Sequence, residues 1–409
     1  MKRMSVYIAL IAVASPSGAD TAVDARSAGL ATGGIAITRG ISAATWNPAN
    51  LAVAVAPQWT TTLLSGSAAL NNSAFSVDEY DRYNGAYLDQ EMKADLLEKI
   101  GDNGLNLSLS SSWNLPGVQI GRFAIMASSS FVGSATLARE TIDLVLQGSE
   151  LNEVVSLGSS TGDGIAWSDI GAAYGHRHGN WSFGANFRYV LGHYHNSSLG
   201  SGTLQPVEVD GVLTSIATEG FLEIKQAEGG RGFASDLGIT YIGGRGIIVS
   251  GVISNVFSRV SWTDGLEKRT YTYDHDIDFS SFDEDQLGEP NEIIESIDPF
   301  STNLPSAFEV GIAIPMGGHL TALGDLQLPL NDVGSPGEYD AATGFELALI
   351  SWLPLRGGYA YNATTGSRYA GGFGIHPGPL RFDIALGYRG GLFGSAKGMD
   401  LAMSLEIGH

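Results

Sequence analysis

The last eleven residues of the chain, 399–409, alternate between apolar side chains and polar or small ones. Successive side chains on a β-strand point to opposite faces, so this segment has one apolar face and one polar face. A strand of this kind is typical of a barrel wall in a membrane, with lipid outside and a polar lumen inside. The apolar face carries Met399, Leu401, Met403, Leu405 and Ile407.

The same alternation recurs in residues 181–191, 308–314, 345–349 and 380–388. A soluble β-sandwich would also alternate, but it would bury its apolar face against a second sheet. The pattern favours an all-β fold, a closed antiparallel transmembrane β-barrel of about fourteen strands. Several charged residues fall on the inner row, and we expect them to form a network in the lumen. These are Arg188, Glu309, Glu346, Arg381 and Asp383.

The first nineteen residues predict a secretory signal peptide. Lys2 and Arg3 precede an apolar run over residues 6–14, and small residues precede Asp20. This run is too short to span a bilayer, and no later stretch approaches twenty consecutive apolar residues. The chain has no cysteine, which excludes disulfides and a lipoprotein anchor. We therefore expect an exported protein whose mature chain begins at Asp20.

The composition fits a barrel in the outer membrane. Glycine is abundant at 55 residues, charged residues make up 16%, and the aromatic residues include 7 Trp, 15 Tyr and 16 Phe. Barrels place aromatic residues at both lipid interfaces and use glycine where strands and turns need room. The formal charge of −21 argues against nucleic acid as a partner, because phosphate binding needs clustered Lys and Arg.

Residues 20–56 differ from the rest of the chain and predict a compact, irregular segment. Closely spaced glycines permit close backbone packing, and an Asn-Pro pair favours a turn, so this segment suits a confined space such as a barrel lumen. Trp46 is either a side chain that touches a ligand or a packing wedge. The residues expected to gate or pack this segment are Arg26, Gly29, Gly33, Gly34, Trp46, Asn47 and Pro48.

An Ala- and Gly-rich segment followed by Trp-Asn-Pro-Ala-x-Leu, here residues 46–51, resembles the outer-membrane barrels related to the long-chain fatty-acid transporters (FadL-like). It is similar, more closely, to PorV-type and uncharacterised members of that group, and residues 230–238, 351–359 and 392–398 extend the similarity. The resemblance implies fourteen strands around an N-terminal hatch. The chain departs from many bacterial barrels in ending with His409 rather than Phe.

Sixteen segments have strand-like patterns, and we predict fourteen strands because two weak candidates, near 135–146 and 219–226, merge into neighbours or loops. Two long insertions interrupt the wall. Residues 65–104 contain a predicted amphipathic helix over 87–100, and residues 258–305 are acidic. Long loops of outer-membrane barrels lie outside the cell, so we place both there and the N-terminus in the periplasm.

Three carboxylates alternate along one insertion. Asp274, Asp276 and Asp278 form a D-x-D-x-D run that could supply oxygen ligands to Ca²⁺, although the glycine and distal glutamate of an EF-hand loop are missing. The alternative is a solvated acidic loop. Two histidine pairs, at 176 and 178 and at 193 and 195, are predicted to lie far apart rather than to share a metal. No cofactor is otherwise predicted.

The chain contains none of the common catalytic motifs, neither G-x-S-x-G nor H-E-x-x-H nor G-x-x-x-x-G-K-[ST], so we predict that it is not an enzyme. The resemblance implies passive uptake of a small hydrophobic or amphipathic molecule past the hatch. The alternative is a PorV-like scaffold, whose loops bind a surface or secreted protein. An elongated apolar pocket would favour uptake, and a lumen filled by hatch side chains would favour the scaffold.

Overall fold

The computed structural model describes residues 24–31, 33–210, 212–278, 290–331, 340–363 and 365–408, with the backbone alone for 275–278. The predicted signal peptide lies outside these ranges. None of the described helices is long and apolar enough to cross a membrane.

Strand pairing closes the chain into a ring. Every pair is antiparallel, and the first wall strand, Trp59–Asn72, pairs with the last, Gly398–Gly408. The described residues form fourteen wall strands, which confirms the predicted fold. In chain order these are Trp59–Asn72; Leu105–Asn114 with Gly117–Ile120; Phe123–Leu137; Val155–His178; Trp181–Val209; Val212–Ala227 with Gly229–Ala234 and Leu237–Ile242; Ile248–Ser254 with Arg259–Asp264 and Glu267–Asp278; Asn291–Ser296 with Phe300–Thr302 and Ala307–Met316; Leu320–Pro329; Asp340–Ile350; Leu353–Asn362; Gly366–Ile375; Leu380–Arg389; and Gly398–Gly408.

The apolar row of each wall strand faces outward. On the last strand, Met399 is 46% exposed and Leu401 is 53% exposed. Asp400, which lies between them, and Ala402, which follows, are buried. The strand Trp181–Val209 repeats this arrangement, with Phe187 60% exposed and Arg188 buried. Because the exposed row is the apolar one, lipid rather than a second sheet must cover it.

The two weak strand candidates account for the change from sixteen segments to fourteen strands. Residues 135–137 complete the strand Phe123–Leu137, as the predicted merger requires, and the chain then forms the helix Arg139–Gln147. This helix ends at Gly148, whose φ of +81° suits glycine. The candidate near 219–226 is a strand, and it joins Leu237–Ile242 in one wall position.

The two rims of the barrel differ. Short turns, such as those near Gly121 and Gly179, lie at the rim where the first strand begins and the last one ends. The other rim carries the helices Val77–Tyr83, Gln90–Ile100 and Arg139–Gln147. The predicted helix over 87–100 is therefore present from Gln90, while the start of the 65–104 insertion continues the first strand as far as Asn72.

Several wall strands extend beyond this second rim. Trp181–Val209 has 29 residues, whereas roughly ten suffice for one tilted crossing. The acidic insertion 258–305 contributes Glu267–Asp278 and Asn291–Ser296, so it is largely a β-hairpin rather than an irregular loop. We call the extension, residues 155–161, 196–209, 212–226, 267–278 and 291–296, the projecting sheet.

A charge introduced on the outer face should reveal where lipid ends. We expect Leu401→Lys to lower the free energy of unfolding by about 2–4 kcal/mol, because a lysine on the lipid face of a barrel is poorly solvated. Leu199→Lys, at an exposed position of the projecting sheet beyond the lipid, should lower it by only about 0–0.5 kcal/mol. Urea unfolding in lipid vesicles measures both, and equal costs would contradict the assignment of the lipid-covered band.

Candidate functional site

The N-terminal segment lies inside the ring. Residues 24–31 and 33–56 contain the short helices Ala25–Ala28 and Ala43–Trp46 and the 3-10 helices Gly40–Ser42 and Pro48–Ala52. Leu30, Ile35 and Leu51 are fully buried. The first helix contacts the last three wall strands, and Pro48–Ala52 contacts the wall on the opposite side. We call this segment the hatch.

An ion-pair network joins the hatch to the wall through Arg26. Its Nε and Nη2 atoms donate to the Glu346 carboxylate at 2.8 and 2.7 Å, and Nη1 donates to the Ile37 carbonyl at 3.0 Å. The wall residue Arg356 donates to the same carboxylate at 2.8 Å and also pairs with Asp383. This two-pronged Arg–carboxylate geometry fixes orientation as well as charge.

A polar cavity of about 270 Å³ lies beside this network, and the hatch forms part of its lining. Burial lowers the pKa of Arg39 to about 9, and the nearby Arg26 guanidinium acts in the same direction. Burial also raises the pKa of the Asp24 carboxyl. The hatch therefore places charges against the wall where close pairing must offset desolvation. The lining includes Asp24, Arg26, Arg39, Glu346, Arg381 and Glu406.

The Asn-Pro turn anchors the opposite side of the hatch. Asn47 caps Pro48–Ala52, with its Oδ1 accepting from the Ala49 amide at 3.1 Å. Its Nδ2 donates to Thr240 Oγ1 at 3.2 Å, and Thr240 donates to Asn50 Oδ1 at 2.7 Å. All three polar side chains are buried, so each depends on these partners. The predicted turn is thus also an attachment point to the wall.

Trp46 packs, partly buried, against four alanines: Ala25 and Ala28 of the hatch and Ala385 and Ala402 of the wall. Its indole nitrogen is buried without a hydrogen-bond partner among the described residues. These contacts are those of a packing wedge.

Wall glycines make room for the hatch. A β-carbon on Gly184 would lie 2.1 Å from the Pro48 carbonyl carbon, and one on Gly238 would lie 2.1 Å from Asn47 Oδ1. Real side chains do not approach so closely, so the wall accepts the hatch only where glycine stands. Of the predicted hatch glycines, Gly34 has a φ of +113°. Gly29 and Gly33 face the wall, with Gly29 against Arg356.

Two wall carboxylates hold the hatch without having been singled out from the sequence. Asp325 accepts from the amides of Gly34 and Ile35 at 2.9 and 3.3 Å. Glu406 accepts from Ser42 Oγ at 2.7 Å. Both lie on the inner row of an alternating strand, so alternation indicates their side of the wall but not their partner.

The predicted lumen charges do not form a single network. Glu346 and Asp383 belong to the Arg26 network, and Arg381 lies opposite Glu406 in register and lines the cavity. Arg188 lies elsewhere, donating to Asp236 and Asn255 at 2.9 and 2.6 Å. Glu309 lies opposite Val252 and Gln327, on another part of the wall. Alternation cannot tell which side of the ring a strand occupies, and so the one-network expectation fails.

The candidate Ca²⁺ ligands lie on the strand Glu267–Asp278 of the projecting sheet. Asp274 is exposed, and the side chains of Asp276 and Asp278 lie outside the described residues. No group of three or more metal-ligating side chains occurs among those described. The Ca²⁺ site stays a prediction. The histidine pairs lie apart: His176 pairs with Phe183 beside one turn, and His195 with Ile165 farther up the wall.

An apolar cluster occupies the lumen beyond the hatch. Trp262 is fully buried at its centre, its indole nitrogen donates to Thr302 Oγ1 at 2.9 Å, and the His195 ring lies 5.4 Å away. Phe300 packs against this cluster from its margin. The lumen is thus polar beside the hatch and apolar above it. The cluster comprises Val132, Ile165, Trp167, Val190, Ala227, Ala234, Val260, Trp262 and Leu304.

A side chain at a wall glycine should loosen the hatch. We expect Gly184→Ala to destabilise the protein by about 1–3 kcal/mol, because the new methyl group overlaps the Pro48 backbone. Thermal unfolding in detergent measures the loss, and limited proteolysis of residues 24–56 reports hatch release. Gly318→Ala is the control, since its β-carbon would meet nothing within 4 Å. Equal behaviour of the two variants would contradict the packing.

Removing the two hydrogen bonds from Arg26 to Glu346, which we call the Arg26 fork, should weaken the attachment of the hatch on the side away from Asn47. We expect Arg26→Ala to lower the free energy of unfolding by about 1–2 kcal/mol. This is less than the loss of a fully buried ion pair would cause, because the Arg26 side chain is 31% exposed and Glu346 still pairs with Arg356. The stability of Arg26→Lys should lie between that of the native protein and that of Arg26→Ala, since lysine keeps the positive charge but cannot make both hydrogen bonds to Glu346. Urea unfolding is the measurement, with exposed Arg122→Ala as the control. A loss no larger than in this control would contradict the role of Arg26.

The fold is similar to that of solved outer-membrane transporters of the FadL type. The Ralstonia pickettii toluene transporter TbuX is 15% identical with a TM-score of 0.53, covering 94% of this chain and 98% of its own. The P. putida toluene transporter TodX is 11% identical with a TM-score of 0.54, and the match covers 94% of this chain and 98% of TodX. A Pseudomonas aeruginosa FadL homologue is 13% identical with a TM-score of 0.55, and the match covers 97% of this chain and 99% of the homologue. The resemblance predicted from the sequence is confirmed for the FadL-like fold, and its PorV-type part stays a prediction.

No curated protein sequence matches the chain. A family model described as "Family of unknown function (DUF5723)" matches residues 52–386, which is most of the chain and nearly the whole barrel wall. The protein therefore belongs to the DUF5723 family.

Proposed function

We propose that the protein carries small hydrophobic or amphipathic molecules across the bacterial outer membrane, with the hatch as the movable part. The observation that carries this proposal is a separate segment inside a closed ring, attached by a few discrete contacts. The Arg26 fork, the Asp325 contacts and the Asn47 anchor are each small sets of hydrogen bonds. Such contacts can exchange for water or ligand when the hatch shifts.

The two rims support an orientation. Bacterial barrels have short periplasmic turns and longer extracellular loops, so in this proposal the short-turn rim faces the periplasm and the rim with the helices faces outward. Trp59, Trp181 and Trp352 are exposed near the short-turn rim, where an interfacial aromatic girdle is expected. Outer-membrane lipid is then the partner of the apolar outer band of the wall, below the projecting sheet.

The apolar cluster around Trp262 supports a hydrophobic cargo. A hydrocarbon above the hatch would exchange contacts with Trp167, Trp262 and Leu304 instead of meeting water. The solved proteins of similar fold include two named as toluene transporters and one named as a monoaromatic hydrocarbon channel, CymD. Their names suggest the size and polarity of ligand to try first.

A second candidate function is a surface scaffold that binds another protein. The observation in its favour is that the hatch and the Trp262 cluster both occupy the lumen, while the cavity beside the hatch is lined by charged residues. A scaffold needs a stiff, filled barrel and no route through it.

A disulfide lock on the hatch would separate the two. A β-carbon on residue 33 would lie 3.6 Å from Asp325 Cγ, close enough for cysteines at both positions to bond. The chain has no other cysteine to interfere. We expect Gly33→Cys/Asp325→Cys, when oxidised, to lower uptake of the hydrophobic probe N-phenylnaphthylamine by expressing cells to the level of cells lacking the protein. Reduction should restore uptake.

The single variants Gly33→Cys and Asp325→Cys are the matched controls, because each carries one of the two substitutions and neither can form the cross-link. Uptake of a hydrophilic solute reports whether the outer membrane stays intact. Equal probe uptake by the oxidised and reduced double variant would contradict the hatch-gated route and favour the scaffold.

A further inference from the structure

Among the described residues, the projecting sheet has one covered edge and one open edge. At the covered edge, the helix Arg139–Gln147 contacts the strand Val155–His178, and the preceding Ala138 amide donates to Ser160 Oγ at 3.0 Å. At the other edge, Asn291–Ser296 pairs only with Glu267–Asp278 among the strands that the structure describes. All six of its residues are exposed. An open edge leaves backbone N–H and C=O groups available for another strand.

This edge stands in water rather than lipid. Through two intervening strands it aligns with residues 196–201, about 15 residues along the wall from Trp181. At about 3.3 Å per residue and a tilt of about 45°, this is ~35 Å above the periplasmic rim. The apolar band of a barrel is about 25 Å tall. Exposed isoleucines here are therefore not lipid contacts.

The edge strand carries a symmetrical pattern, Glu292-Ile293-Ile294-Glu295. Adjacent residues point to opposite faces, so each face of the edge presents one carboxylate beside one isoleucine. Ile293 is 46% exposed and Ile294 54%. Asp298 follows, and no Lys or Arg occurs between Asn291 and Thr302. The edge is at once acidic and apolar.

The nearest cations are already paired within the sheet. Arg269 lies 2.9 Å from Glu267 and 3.8 Å from Glu292, and Lys268 lies 2.7 Å from Glu223. Three cations, Lys225, Lys268 and Arg269, lie among four glutamates, Glu223, Glu267, Glu292 and Glu295, so a net negative charge remains at this edge and would attract a basic partner.

A second copy of the chain is a poor occupant. Two copies of this edge would bring four glutamates into one short interface, and neither copy has a Lys or Arg between Asn291 and Thr302 to balance them. Like charges close together across two strands destabilise a sheet. The glutamates therefore oppose self-pairing and leave the edge to a partner of opposite charge.

We propose that this edge binds an extended segment of another protein by strand addition, and that the segment carries the pattern basic, aliphatic, aliphatic, basic. Main-chain hydrogen bonds provide affinity in this mode, and alternating side chains provide specificity. Lys or Arg would oppose the two glutamates, and two aliphatic residues would cover Ile293 and Ile294. The proposal names the partner chemistry for the scaffold role and does not depend on flux through the lumen.

The test uses the full barrel in nanodiscs and fluorescein-labelled peptides in which a β-prone context flanks Lys-Val-Val-Lys or Glu-Val-Val-Glu. Fluorescence anisotropy should show binding of the lysine peptide and at least about tenfold weaker binding of the glutamate peptide. Glu292→Lys/Glu295→Lys should reverse this preference, because the charges opposite the peptide change sign.

The matched control is Glu150→Lys/Glu153→Lys, two exposed glutamates with the same spacing and the same charge change in a loop. It should keep the preference of the native protein. Reversal by this control would show an effect of overall charge and overturn the proposal. Absence of measurable binding to either peptide, or a dimer of the native barrel that the Glu292/Glu295 exchange abolishes, would also overturn it. Loss of the hatch-gated flux would not affect these results.

Discussion

Hydrogen bonding between Trp59–Asn72 and Gly398–Gly408 closes the ring, and the other features of the structure depend on it. No water in a bilayer core can satisfy unpaired N–H and C=O groups, so a sheet spans a membrane only when it has no free edge there. Closure also encloses the lumen, which turns the inner row of each strand into a lining for the hatch. Where the sheet rises beyond the lipid, the requirement ends, and the open edge at Asn291–Ser296 becomes tolerable.

The hatch is held by two different kinds of contact. Backbone fits closely against wall glycines such as Gly184 and Gly238, which is a matter of shape. Arg26, Asn47 and Asp325 add hydrogen bonds that fix its position. Polar contacts of this kind contribute little net energy while both partners are satisfied, and they are costly when one is left unpaired. This combination suits a segment that stays in place until something replaces its partners.

Alternation was sufficient to predict the wall and the direction in which each side chain points. It gave only a weak signal where a short segment also fits a helix, as at 135–146, and it failed where strand position around the ring decides the neighbour, as for Arg188 and Glu309. Asp325 and Glu406 show the same limit. Their row places them in the lumen, but their partners Gly34 and Ser42 are 291 and 364 residues away along the chain.

The sequence by itself determined the all-β barrel, the two faces of its wall and a distinct N-terminal segment, because these follow from local periodicity and composition. Only the tertiary structure decided which residues meet: the fork of Arg26 and Arg356 on Glu346, the Asn47 anchor on Thr240, and the open edge carrying Glu292 and Glu295. The physical reason is that pairing register and ring closure bring distant strands together, and no local pattern encodes that distance.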